Sequence, residues 1–247
     1  MGNVIIEIKN LSKSFDDFIV LDNVSLNIYE KENLVIFGKS GTGKSVLLKC
    51  IVKLLTPDKG EIKIFGENVS ELKGKKLTNL RKRISFLFQS AALYDAMSVK
   101  ENLEFALKKV FKLPKKEIDE RVDWALNSVG LIEAKYKMPS ELSGGMRKRI
   151  GLARAIITKP EIIFYDEPTT GLDPITTKEI SMLINKLQKE LNITSVTITH
   201  DIICAKIIAN RSIFLKDGKI IFEGTLDNLM KSNDPFLQNF FNFDIIN

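Results

Sequence analysis

The segment Gly38-Lys39-Ser40-Gly41-Thr42-Gly43-Lys44-Ser45 restricts this chain more than any other. Written G-x-x-x-x-G-K-[ST], it asks for a buried strand that runs into a glycine loop and then a helix. Both flanks comply. Asn33 leads into four apolar residues, Leu34-Val35-Ile36-Phe37, that end on Gly38, and Leu47, Leu48 and Ile51 recur at helical spacing beyond Lys44. Glycines let backbone N–H groups turn inward onto phosphate oxygens, and the helix directs its positive end to the same place. The expectation is a nucleotide held by the loop from Gly38 through Lys39, Ser40, Gly41, Thr42 and Gly43, with the N–H of Val46 behind it. Lys44 would bridge the β- and γ-phosphates, and the Ser45 hydroxyl would reach Mg²⁺. A merely flexible glycine turn would need neither the strand nor the helix.

Such a loop needs a metal and water side. Glu161-Ile162-Ile163-Phe164-Tyr165-Asp166-Glu167 reads as a buried strand ending in adjacent carboxylates. Asp166 at a strand tip suits Mg²⁺, and Glu167 beside it suits orienting or deprotonating the attacking water, a role worth about 10²–10⁴ in rate. Alone, the pair could be a solvated acidic turn; paired with the phosphate loop, it reads as catalytic.

The rest of the 247 residues organise around these two strands. The spacing predicts helices over Asn102 to Val110, Glu117 to Val129 and Ser143 to Ile157, and a helix with Ile180, Leu183, Ile184, Leu187 and Leu191 on one stripe. Strands are expected over Thr194 to Thr199 and in a hairpin around Asp217-Gly218. The predicted fold class is α/β, a nucleotide-binding core over 1–92 and 159–230, a helical insert over 93–158 and a tail over 231–247. No stretch approaches the roughly 20 apolar residues of a membrane span, and Met1 to Ile6 lacks the basic and apolar regions of a signal peptide. The chain is therefore expected to stay in the cytosol unless something holds it elsewhere. Net charge is +6, yet the lysines are scattered without interleaved aromatics, so nucleic acid is not an expected partner. The densest basic run, Lys108 to Lys116, is expected as a solvated loop at a helix end. Cys50 and Cys204 are far apart and expected to be buried thiols.

Leu142-Ser143-Gly144-Gly145 opens the helix ahead of the acidic strand, and with the two motifs above it resembles the signature of the ABC ATPase family. The family's other markers follow in order: Gln89 as the Q-loop residue, Gly171-Leu172-Asp173 as the D-loop, and His200, the single histidine, as the switch residue. Phe15 falls where the family stacks an aromatic on adenine, and Val20 where an apolar side chain packs the ring edge. The resemblance implies a P-loop NTPase (RecA-like) core with an N-terminal antiparallel β-subdomain and an inserted helical subdomain. It also implies ATP and Mg²⁺, the metal held by Ser45, Gln89 and Asp166, and catalysis by Glu167, His200 and Lys44. Two chains would form a homodimer in which Ser143, Gly144 and Gly145 of each cap the nucleotide of the other, with Asp173 at the same junction. An integral membrane permease would dock on the helical subdomain, with Tyr94 and Met97 near the contact.

Three positions depart from the commonest family pattern. Val46 stands where threonine is frequent, Phe15 where tyrosine is commoner, and Met146 where glutamine usually follows the signature glycines. The run Leu142 to Arg149, Met97 to Leu103 and the tail Ser232 to Phe240 are similar to the MlaF-like ATPases of MCE-type lipid transporters. That likeness implies a peripheral place on the cytoplasmic side of the inner membrane, an MCE protein as partner and, as in some relatives, a small STAS-domain protein. Import of a polar solute such as an amino acid is the competing expectation. A soluble ABC ATPase outside transport is a weaker one, because no coiled-coil insert or second ATPase half is present.

Overall fold

The computed structural model describes residues 2–243; Met1 and the end of the expected tail, 244–247, lie outside them. In chain order the elements are β1 (Val4–Phe15), β2 (Phe18–Tyr29), β3 (Asn33–Phe37), α1 (Lys44–Ile51), β4 (Lys59–Ile64) and β5 (Glu67–Asn68). Then come α2 (Gly74–Lys82), β6 (Ile84–Leu87), α3 (Val99–Ala106), α4 (Lys115–Ser128), α5 (Gly144–Ile156), β7 (Ile162–Asp166) and α6 (Pro174–Leu191). β8 (Thr194–Ile198), α7 (Ile202–Ile208), β9 (Arg211–Lys216), β10 (Lys219–Gly224), α8 (Leu226–Met230) and α9 (Pro235–Phe243) close the described chain. Two compact units result, one of the chain up to Leu72 with the chain from Val196 onward, the other Lys73–Ser195. These limits fall elsewhere than 92/93 and 158/159, because α2, β6, β7 and α6 group with the helices of the middle segment.

The first unit contains the antiparallel β-subdomain, a four-stranded sheet in the order β2-β1-β4-β5. Ile6 and Ile8 of β1 lie opposite Ile64 and Ile62 of β4, and all four are buried. Burying such a side chain contributes roughly 1.5–3 kcal/mol. In the same unit β3 pairs parallel with β9, from Leu34↔Arg211 to Phe37↔Phe214. All five residues of β3 are buried, which explains why its sequence is continuous in apolar character rather than alternating. β9 and β10 form the expected hairpin, turning on Asp217 (φ 47°) and Gly218 (φ 74°). The described part of the tail is built into this unit: Phe236 and Phe240 of α9 meet Phe214 edge-on with centroids at 5.7 and 4.9 Å, and Phe241 meets Phe37 at 5.5 Å.

In the second unit β6 and β7 run parallel, from Ile84↔Ile162 to Leu87↔Tyr165. α5 packs against α3, α4 and α6. α3 starts with a reciprocal capping box between Ser98 and Glu101, and α6 starts on Asp173 with Pro174 in its first turn. Two expectations change. The helix predicted to reach Val110 is α-helical only to Ala106; Leu107–Phe111 is a wider π-type turn, ended by Lys112 in the left-handed region (φ 54°). Part of the basic run is thus helical rather than loop. α2 was not legible, because Gly74-Lys75-Lys76-Leu77-Thr78-Asn79-Leu80-Arg81-Lys82 offers only two apolar residues to reveal a period. Among the described residues no helix is long and apolar enough to cross a membrane.

Candidate active site

In the first unit the phosphate loop is shaped by two close approaches. A Cβ on Gly38 would lie 2.4 Å from the Leu215 carbonyl oxygen of the neighbouring β9. A Cβ on Gly43 would lie 2.7 Å from the Val20 carbonyl oxygen, and Gly43 also has φ +96°, where side-chain-bearing residues are strained. Lys39, Ser40 and Gly41 are exposed and Thr42 half-buried; the Thr42 hydroxyl donates to the Lys39 carbonyl at 2.9 Å and tightens the turn. The Lys44 side chain folds back under this loop. It is 8% exposed, and its ammonium donates to the carbonyls of Gly38 at 2.7 Å and Lys39 at 2.9 Å.

Lys44, Ser45 and Val46 form the first turn of α1, whose N-cap, Gly43, supplies no side-chain cap. A helix start without a side-chain cap, directly after a glycine loop, is an arrangement that fits a phosphate. Val20 is half-buried behind Gly43, while Phe15 is 43% exposed at the end of β1 with the Lys13 ammonium 5.2 Å from its ring centroid. Sequence reasoning missed two further exposed apolar side chains at this hairpin, Phe18 and Ile19. Exposed aromatics beside a polar turn offer a flat surface to a base. His200 is exposed just past β8. It is bracketed by Thr199, whose N–H donates to Ile36, and by Asp201, which caps α7 by accepting from the Cys204 N–H at 3.0 Å.

In the second unit the level ends of β6 and β7 bring Gln89 and the acidic pair to one sheet edge, since Leu87 lies opposite Tyr165. Asp166 and Glu167 are half-buried, and Gln89 is exposed. Glu167 has φ +50°, an uncommon backbone for a residue with a side chain. The Thr170 hydroxyl donates to its carboxylate at 3.3 Å. Ser143 is the N-cap of α5, its hydroxyl accepting from the Met146 N–H at 3.2 Å. Gly145 lies so close to Thr176 that a Cβ there would meet the threonine methyl at 3.0 Å, and Gly144 faces Leu172. Asp173 is occupied by its own helix: it accepts from the N–H groups of Ile175 and Thr176, both at 3.0 Å, and from the Thr176 hydroxyl at 2.6 Å. Those bonds hold its carboxyl below the usual range.

Three residues in this unit had no signal in the sequence. The Lys148 ammonium donates to the carbonyl oxygens of Gln89 at 2.5 Å and Glu167 at 3.4 Å, and burial pushes its pKa down. Arg154 donates to the carbonyls of Ala92 at 2.7 Å and Ala91 at 2.5 Å, fixing two residues of positive φ just past Gln89. Asn102, 1% exposed, accepts from the Tyr94 N–H and donates to the carbonyls of Tyr94, Met97 and Ser98. It thereby moulds the loop where a permease contact was expected, leaving Tyr94 48% exposed and its ring tilted against Phe105 with centroids 5.2 Å apart.

A family model described as "ABC transporter" matches residues 21–170. The intermembrane phospholipid transport system ATP-binding protein MlaF of Haemophilus influenzae is 41% identical over 95% of this chain and 89% of its own length. A probable ribonucleotide transport ATP-binding protein, mkl, of Mycobacterium leprae is 38% identical over 97% of this chain and 69% of its own. Among solved structures, the dimeric ATP-binding cassette MJ0796 in a post-hydrolysis state bound to ADP and Pi superposes with a TM-score of 0.80. It is 35% identical and covers 90% of this chain and 98% of that one. By sequence and fold, this chain belongs to the ABC transporter family, as one of its ATP-hydrolysing cassettes.

Proposed function

We propose that the chain energises phospholipid transport as the ATPase subunit of an ABC system, two copies working beneath a separate permease. The observation that carries this is the 41% identity to MlaF along nearly the whole chain, and Met146 after the signature glycines supports it. The name of the mycobacterial relative favours a polar cargo as the second reading.

In this reading Phe15 stacks on the adenine and Val20 packs its edge. The N–H groups of the Gly38–Ser45 loop and of Val46 hold the phosphates. Lys44 exchanges its carbonyl partners for β- and γ-phosphate oxygens, a charge-assisted replacement that strengthens both bonds. Ser45, Gln89 and Asp166 offer a hydroxyl, an amide oxygen and a carboxylate, a hard-oxygen set with a single charge that fits Mg²⁺. The ion, when bound, neutralises charge on the phosphates. Glu167 orients the attacking water and takes its proton, and His200 steadies the γ-phosphate. Ser143, Gly144 and Gly145 of a second chain cap that γ-phosphate, with Asp173 ordering the same junction, so ATP acts as glue between the two copies. Hydrolysis loosens the pair, and the motion passes through Gln89 to the helical segment, 93–158, where the permease docks. The chain would sit peripherally on the cytoplasmic side of the inner membrane, with an MCE-type protein and a STAS-domain protein as further partners.

The test is to purify the chain with its co-purifying permease, reconstitute it in phospholipid vesicles, and measure ATP turnover and lipid transfer. ATP-dependent lipid transfer unaffected by added ribonucleotides or amino acids is expected. Turnover stimulated by a polar solute, with no lipid moved, would replace the lipid reading with the second one.

A further inference from the structure

Lysine is rarely buried without a partner, yet Lys148 is 6% exposed in the middle of the catalytic unit. It lies one helical turn beyond Gly144 and Gly145 on α5. Its ammonium reaches two backbone oxygens, those of Gln89 and Glu167. Neither acceptor belongs to regular structure. Gln89 lies past the end of β6, and Glu167 has the left-handed backbone (φ +50°) just past β7. A non-glycine residue held there carries strain that its surroundings must offset. The Thr170 N–H donates to the same Glu167 carbonyl at 3.4 Å, the length of the Lys148 bond. Arg154, further along the same helix, makes a useful contrast: it holds Ala91 and Ala92 but does not span both strand ends.

We propose that Lys148 is a positioning residue for hydrolysis, its ammonium clamping the backbones of Gln89 and Glu167 so that the side chains of both point to the reacting centre of their own chain. It touches neither substrate nor metal and acts through two carbonyls. The proposal rests on the paired-cassette reading given above, in which Glu167 serves its own chain's nucleotide and Ser143 to Gly145 serve the partner's. A residue acting only by steadying α5 would instead affect the nucleotide of the other chain.

Mixed pairs separate these possibilities. Full-length chains with two different tags are purified as pairs with the permease. One chain carries Glu167→Gln, so turnover reports the other chain alone. Lys148→Met, which keeps the length and removes the donors, is then placed in either chain. In the chain with intact Glu167 it should lower kcat about tenfold with KM for ATP within about twofold, the pattern of a group whose effect is felt only in the transition state. In the silent chain it should leave turnover within about twofold. Lys148→Arg in the intact chain, which keeps a cationic donor, should recover most of the loss. Equal loss from either chain, greater loss from the silent chain, or no loss at all would overturn the proposal. So would a Lys148→Arg chain as slow as Lys148→Met. A pair with Glu167→Gln in both chains that still hydrolyses ATP would instead overturn the underlying assignment of Glu167.

Discussion

Two helices in this molecule begin beside a run of glycines, and they begin in opposite ways. α1 follows Gly43, which is left-handed and offers no side chain to the first-turn N–H groups. α5 follows Ser143, whose hydroxyl already accepts from Met146. The first helix end takes no side-chain cap from its N-cap residue, which suits a helix start that meets phosphate. The second is self-sufficient and stands formed without a ligand, as do α6 and α7 on their aspartate caps. The contrast fits a division in which α1 makes the primary phosphate site and α5 completes a site that another chain has already filled.

The largest test of that contrast is Lys44→Ala. Removing the ammonium that folds under the loop should abolish measurable turnover, at least a hundredfold, and weaken ATP binding in a fluorescence titration of the single chain. Ser143→Ala should leave single-chain binding within about twofold while reducing turnover of the pair. If both variants lose binding equally, the two helix ends are equivalent and the contrast is wrong. Next in size is Gly43→Ala, which introduces a Cβ against the Val20 carbonyl at φ +96°. It should cost about 1–3 kcal/mol in urea melts, whereas Ser143→Ala should cost about 1 kcal/mol through the lost cap. Equal losses would mean that the Gly43 backbone relaxes freely. The smallest effect concerns Asp173. Its pKa is lowered in the folded chain by Thr176 and the first N–H groups of α6. Its contribution is therefore complete above the ordinary carboxylate value, about pH 3.9, and fades as pH falls through the folded value. Asp173→Asn retains a capping oxygen without the titration. Its Tm should match the parent near neutral pH, and its decline as pH falls below about 4 should be shallower. A parallel decline would show that the cap does not titrate as described.

The start of α1 was legible in the sequence and the supports around it were not. A strand, a glycine loop and a helix announce themselves because each needs particular residue types at fixed spacing; the same holds for the carboxylates at the end of β7 and the serine before α5. Lys148 and Arg154 left no trace, since a cation on a helix reads as solvent-facing until the carbonyls it meets are known. α2 escaped because cations fill its outer face, and the π-type turn at Leu107–Phe111 escaped because Val110 and Phe111 continue the apolar rhythm of α3. Phe18 and Ile19 were hidden for another reason: periodicity assigns apolar residues to the core, and these two are exposed at a hairpin. Local rules therefore recovered the groups that would touch the nucleotide, and tertiary contacts were needed for the groups that hold them.

Glu167 carries the mechanism most directly. Glu167→Gln, mixed with MgATP, should be examined by size-exclusion chromatography with light scattering alongside an ATPase assay. Loss of hydrolysis together with an ATP-dependent shift from one chain to two is the predicted result, the nucleotide trapped between the copies it joins. Sustained turnover would contradict the assignment of Glu167 as the catalytic carboxylate, and the mechanism built on it would fall.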